Sequence, residues 1–123
     1  MGISNAIVIG GGIGGLAAAA ALSRRGMAVT LLEQAPAITE VGAGLQISPN
    51  GIAVLRAMGL ESKLTERAAV RGQAVVLQDY KTGTRVARLD LMRGQGAYPY
   101  MFVHRADLVD ILLGAAKRGN VSI

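Results

Sequence analysis

The sequence predicts an α/β fold built on a parallel sheet, and three observations carry that expectation. A short apolar run, Ala6-Ile7-Val8-Ile9, leads into Gly10-Gly11-Gly12-Ile13-Gly14-Gly15. An alanine-dense stretch, residues 16–25, follows and is closed by Gly26. A second aliphatic run, Val29-Thr30-Leu31-Leu32, then ends on Glu33. Strand, glycine turn, helix and strand within about thirty residues have the size of one βαβ unit, with a right-handed crossover. The uninterrupted apolar character of residues 6–9 predicts a parallel strand buried on both faces.

The remaining elements follow in order. Pro36 and Val41-Gly42-Ala43-Gly44 mark an irregular connection. Ser48 reads as a helix cap with Pro49 at the first helical position. Ile52, Leu55 and Met58 repeat every third residue and form one apolar face, with Arg56 off it and Gly59 as terminator. Residues 60–68 predict a short further helix. Residues 74–80 and 85–89 are β-rich runs around Lys81-Thr82-Gly83-Thr84, the pattern of an antiparallel hairpin. Its faces do not separate cleanly into apolar and polar, and a simple βαβ repeat contains no such hairpin. Residues 94–99 read as loop, 100–103 as strand and 106–116 as a helix presenting Leu108, Ile111, Leu112 and Ala115. Gly119 closes that helix, and residues 121–123 begin another strand. The sequence stops there without a closing element, the pattern expected of a truncated product. Residues 1–70 and 98–123 are assigned to one domain, and 72–91 to a hairpin from a second layer.

Composition narrows the functional classes. The AVILMFWYC set makes up 51% of the 123 residues and charged residues 17%, so a packed core is affordable and disorder is not expected. Aromatics are only 3%, which argues against a stacking platform for single-stranded nucleic acid. The net charge of +5 is dispersed. Arg24-Arg25 and Lys117-Arg118 fall at predicted helix ends, where cations complement the helix dipole. No nucleic-acid partner is expected. There is no cysteine and one histidine, His104, so no disulfide, thiol nucleophile or metal cluster is expected. Residues 1–23 carry no charge, but the glycine cluster interrupts any membrane span, no basic segment precedes Ile7, and Ala6 breaks a myristoylation pattern. The expectation is a cytoplasmic protein with no membrane partner.

The glycine pattern carries chemistry because of where it falls. Gly10-x-Gly12-x-x-Gly15 follows a strand and opens a helix, as dinucleotide binding requires. Gly10 permits the tight turn, Gly12 lets backbone approach a pyrophosphate, and Gly15 lets helix and strand pack closely. The helix N-terminus offers N–H groups and partial positive charge to an anion. Glu33 lies 33 − 10 = 23 positions past Gly10, at the end of the second strand. Its carboxylate can accept hydrogen bonds from ribose hydroxyls and would repel a 2′-phosphate.

The wider spacing supports a more specific resemblance. Ala19, Leu22, Gly26, Val29, Leu31, Leu32 and Glu33 resemble the extended dinucleotide pattern of two-domain FAD-dependent oxidoreductases. The segment from Val41-Gly42-Ala43-Gly44 through Ser48-Pro49-Asn50-Gly51 is similar to the one after the second strand in aromatic-ring flavin monooxygenases, nearest the salicylate and 3-hydroxybenzoate hydroxylase branch. Val103-His104-Arg105-Ala106-Asp107-Leu108 is similar to that family's arginine motif at a helix start. The resemblance implies a Rossmann-like FAD-binding unit, with the hairpin belonging to a substrate-side layer. It implies that Gly10, Gly12, Ile13, Gly14 and Gly15 line the FAD pyrophosphate. It further implies that Glu33 holds the adenosine ribose with Gln34 alongside, that Gly44 approaches the flavin side, and that Arg105 reaches FAD across its phosphate and ribityl region. His104 reads as a packed or solvated neighbour, Asp107 as a first-turn charge and Glu40 as a solvated loop residue.

The implied chemistry is reduction of FAD by NADH or NADPH, followed by oxygen-dependent hydroxylation of a small aromatic substrate. Relatives in this family are about three times longer. No residue here is assigned to the ring chemistry, whose later motifs are absent from the sequence. Three rivals share part of the pattern: a NAD-dependent dehydrogenase, an amine-oxidase or desaturase-like flavoprotein, and a nonenzymatic nucleotide-binding module. The first does not need the Gly44 and Arg105 segments. The second usually carries a paired-glycine and arginine motif that residues 41–46 lack. Cofactor content separates the third.

Overall fold

A computed structural model describes residues 4–39, 42–67, 69–93, 96 and 98–123. In chain order the elements are β1 Asn5–Ile9, α1 Ile13–Arg24, β2 Ala28–Leu32, β3 Gly44–Ile47, α2 Pro49–Ala57, α3 Glu61–Glu66, β4 Val70–Arg71, β5 Ala74–Gln78, β6 Arg85–Asp90, β7 Met101–His104, α4 Arg105–Arg118 and β8 Val121–Ser122. They divide into two compact units, Met1–Ala43 with His104–Ile123, and Gly44–Val103. The expected α/β class with a parallel sheet and a separate hairpin is what the chain adopts. Among the described residues no helix is long and apolar enough to cross a membrane.

The first unit is a parallel sheet in the order β1-β2-β8. Ile7 pairs with Thr30, Ile9 with Leu32 and Val29 with Val121. Alternation along the strands sends Val29 and Leu31 into the core, where they are buried with Leu16, Ala19 and Ala20 of α1 and Leu108, Ile111, Leu112 and Ala116 of α4. Each fully buried Leu or Ile contributes about 1.5–3 kcal/mol. The alanines of α1 let α1 and α4 pack tightly. Asn120 N–H donates to Ser23 Oγ at 2.7 Å, and a Cβ on Gly119 would overlap that hydroxyl. Gly119 is extended (φ −95°, ψ −172°), so close approach, and not a left-handed turn, is what glycine provides at the end of α4.

The expectation that β1 is buried on both faces is corrected. Ile7 is 70% exposed, Ile9 85% and Leu32 51%, because β1 and β2 turn these side chains away from the helix-covered core. A continuous apolar run gave no way to see which face would be covered.

The second unit holds a sheet in the order β3-β7-β4, with Val70 opposite Phe102 in the antiparallel β4–β7 pair. Ile47, Ile52, Leu55, Met58, Leu60, Leu64, Met101 and Val103 form its core, so the predicted stripe on α2 faces inward. Arg56, off that stripe, pairs with Glu61 and lies 4.4 Å from the Tyr98 ring centroid. Gly59 ends α2 with φ +71°. Ser48 is the N-cap residue and Pro49 opens the helix, but the Ser48 hydroxyl donates to Asn50 Oδ1 and makes no backbone cap. The short helix is α3; Ala68, at its expected end, lies outside the described residues. Gly94, Gln95 and Ala97 of the expected loop also lie outside them.

The hairpin forms as β5 and β6, which pair with each other in a sheet of their own. Tyr80, expected in the strand, belongs to the turn. Asp79 starts that turn earlier: its Oδ1 accepts the Lys81 N–H at 3.0 Å and the Thr82 N–H at 2.8 Å. Val76, Leu77, Val86 and Leu89 are all exposed, in keeping with faces that the sequence left unsorted.

Candidate functional site

The end of β1 and the start of α1 form a turn with little side-chain substance. Gly10 has φ +98°, a conformation that L side chains rarely adopt, and its N–H donates to the Leu32 carbonyl at 2.7 Å. Gly12 is the N-cap residue of α1 and accepts the first helical bond, from Leu16 N–H at 2.9 Å. No side chain caps this helix, and its first turn carries no acid. Among the described residues, the first-turn N–H groups therefore have no intrahelical or side-chain partner, the arrangement that receives an anion. Added Cβ atoms at Gly12 and Gly14 would meet nothing within 4 Å, so backbone stands open there. Ile13 lies between them as the first helical residue. Gly15 differs: a Cβ would overlap the Gly10 carbonyl oxygen and lie 3.5 Å from Val8 Cγ1.

Glu33 follows β2 and reaches back to this turn. Its Oε2 accepts the Gly11 N–H at 2.5 Å and its Oε1 accepts the Ala35 N–H at 2.8 Å. The Ala35 amide, then the Gly11 amide, hold the carboxyl below its ordinary pKa. The carboxylate is thus ionised and fixed, with lone pairs left for further donors. Gly11 is the residue that sequence reasoning passed over. It falls between the named positions of the glycine pattern, yet a Cβ there would lie 2.9 Å from Glu33 Oε2 and 3.0 Å from Ile38 Cδ1. Its place in the middle of three consecutive glycines was the available signal. Gln34 is exposed beside Glu33. A cleft of about 590 Å³ opens between Glu33, residues 35–38, Leu113 and Lys117 of α4, and Ile123. That volume is in the range of small-ligand sites.

Arg105 opens α4, and topology fixes where. Only Gly119 and Asn120 separate the end of α4 from β8, which runs parallel to β2. The 14-residue helix is about 21 Å long and so returns to the carboxyl edge of the sheet, the edge that carries the glycine turn. Arg105 is exposed, and its N–H donates to the Ala43 carbonyl at 2.9 Å. Asp107 lies in the first turn of α4. Gly44 belongs to the second unit, where it is exposed and begins β3. Glu40 and Val41 lie outside the described residues.

One edge of the first unit therefore gathers an uncapped helix start, an ionised carboxylate and an arginine. Residues 4–123 match the family described as the FAD binding domain. The chain belongs to this FAD-binding domain family. FAD is accordingly the cofactor of this domain, and the aromatic-ring monooxygenase resemblance is borne out by its relatives. The FAD-binding domain is 43% identical over 119 residues to 3-hydroxybenzoate 6-hydroxylase of Polaromonas naphthalenivorans (strain CJ2), covering 94% of this chain and 30% of that protein. It is 43% identical over 118 residues to 3-amino-4-hydroxybenzoate 2-monooxygenase PtmB3 of Streptomyces platensis, covering 93% and 29% respectively. Among solved structures, the tetrameric form of 2-methyl-3-hydroxypyridine-5-carboxylic acid oxygenase matches with a TM-score of 0.82 at 25% identity, over 99% of this chain and 32% of that one. The chain thus spans about 30% of the length of the curated relatives it matches.

Proposed function

We propose that this chain binds the ADP half of FAD within a flavin-dependent monooxygenase that hydroxylates a small aromatic substrate, using NADH or NADPH and dioxygen. The observation that carries this reading is the Glu33 carboxylate, latched to the Gly11 and Ala35 amides beside an uncapped helix start. An acid there suits ribose hydroxyls, and the open backbone at Gly12 and Gly14 suits a pyrophosphate. Gly10, Gly12, Ile13, Gly14 and Gly15 line the pyrophosphate, Glu33 and Gln34 hold the adenosine ribose, and the cleft beside Glu33 gives the adenosine room. Gly44 approaches the flavin side, and Arg105 supplies a cation to the phosphate and ribityl region. Residues 1–70 and 98–123 serve the cofactor, while the 72–91 hairpin belongs to the substrate side. What the cofactor supplies when bound is two-electron redox chemistry with the nicotinamide and activation of dioxygen. This chain's residues bind and orient it.

Two measurements test the reading. FAD titration by flavin fluorescence should give saturable binding, with Glu33→Ala and Arg105→Ala each raising Kd by about tenfold. Unchanged Kd values would remove those residues from the site, and binding of NAD in preference to FAD would favour the dehydrogenase reading. For turnover, residues 4–123 replace their counterpart in the Polaromonas relative. That chimera should consume NADH or NADPH and oxygen and hydroxylate a hydroxybenzoate-type acid. A chimera that holds FAD yet forms no product across an aromatic panel would support a noncatalytic or oxidase-like role.

A further inference from the structure

The loop entering β3 meets the start of α4 at two points. The Arg105 N–H donates to the Ala43 carbonyl, as described above. One residue earlier in each segment, the His104 imidazole lies so close to Gly42 that an added Cβ would overlap Nε2 and sit 2.6 Å from Cε1. Gly42 does not have a positive φ, so its backbone conformation does not call for glycine. The neighbouring ring does. His104 is the N-cap residue of α4, yet its side chain makes no cap hydrogen bond. Capping therefore does not account for the histidine, whereas the contact with Gly42 gives its ring a definite neighbour. The Arg105 amide lies in the first turn, where α4 has no carbonyl of its own to offer, so the Ala43 carbonyl is its backbone partner.

We infer that His104 is a positioning residue of the cofactor site: its imidazole seats the Gly42–Ala43 loop on the first turn of α4 and thereby fixes Arg105. This rests on the Arg105 assignment proposed above. The ring acts by shape, its Nε2–Cε1 edge filling the space that a Cβ on Gly42 would take, so an aromatic replacement preserves the seat and truncation removes it.

The test reads the seat and its consequence separately, in the full chain. Amide hydrogen exchange at Arg105 without FAD reads the seat, and FAD Kd reads the consequence. His104→Ala should speed Arg105 exchange by about tenfold and raise the FAD Kd by about fivefold. His104→Phe should leave both near the parent values. Gly42→Ala should reproduce the His104→Ala losses, and the double variant should be no worse than either single one, because both remove the same contact. Arg105 exchange unchanged in His104→Ala overturns the inference. So does faster exchange with an unchanged Kd, or fully additive losses in the double variant. Failure of the Arg105 assignment itself is distinguishable: Arg105→Ala would then leave Kd unchanged while exchange at the Arg105 amide still responded to His104→Ala.

Discussion

A Cβ on Gly15 would overlap the Gly10 carbonyl oxygen, whereas one on Gly12 would meet open space. The two positions should therefore fail in different ways. Gly15→Ala pushes α1 away from the end of β1 and should cost about 1–3 kcal/mol of stability, the usual range for overpacking. Gly12→Val should cost only about 1 kcal/mol, for a poorer N-cap, yet it fills the backbone approach and should abolish measurable FAD binding. Urea midpoints and FAD titrations on both variants separate the two effects. Gly12→Val with normal FAD retention would contradict the pyrophosphate role. Gly15→Ala at parental stability would mean that α1 can shift without cost.

The hairpin turn carries a similar test at the scale of an element. Gly83 has φ +69°, its N–H donates to the Asp79 carbonyl at 2.9 Å, and the Asp79 N–H donates to the Thr84 carbonyl at 2.8 Å. Gly83→Ala should cost about 1 kcal/mol, and the loss should appear as faster amide exchange within β5 and β6 while α1 and β2 keep their protection. Uniform loss across the chain would show that the hairpin opens only with everything else. This turn was legible because six neighbouring residues, Asp79 to Thr84, contain its chemistry, and the β1–α1–β2 unit was legible because it too is local. β3 and β4 were not. β3 is four residues long and its partner β7 lies far along the chain, while two-residue β4 carries no periodicity at all. The Gly11–Glu33 latch and the Gly42–His104 contact were hidden likewise, since each joins residues whose proximity only the finished fold creates. What could be read at the site was the local part: glycine turn, helix start and the acid ending β2.

At the scale of the molecule, four carboxylates among the described residues have displaced pKa values, and all move in one direction. Glu33 is lowered by the Ala35 and Gly11 amides, Glu61 by Arg56, Asp79 by the Thr82 backbone and hydroxyl, and Asp90 by the Met92 amide. A carboxyl whose pKa is lower in the folded chain contributes stability that is complete above its unfolded value and disappears as pH falls through its folded value. The four contributions therefore share a sign, and they are spread over both units. The net charge of +5 at pH 7 rises further as carboxylates protonate, and the added self-repulsion acts the same way. Urea midpoints should hold level from pH 7 to about 5 and fall steadily below about 4. Asp79→Asn keeps a side-chain oxygen to accept the Lys81 and Thr82 amides but cannot titrate, so its acid-induced loss should be smaller than the parent's. Circular dichroism followed at pH 7, 5, 4 and 3 measures both. Stability that stays level or rises down to pH 3, or an Asp79→Asn curve that parallels the parent's, would mean these amide-held carboxylates do not govern the acid limb.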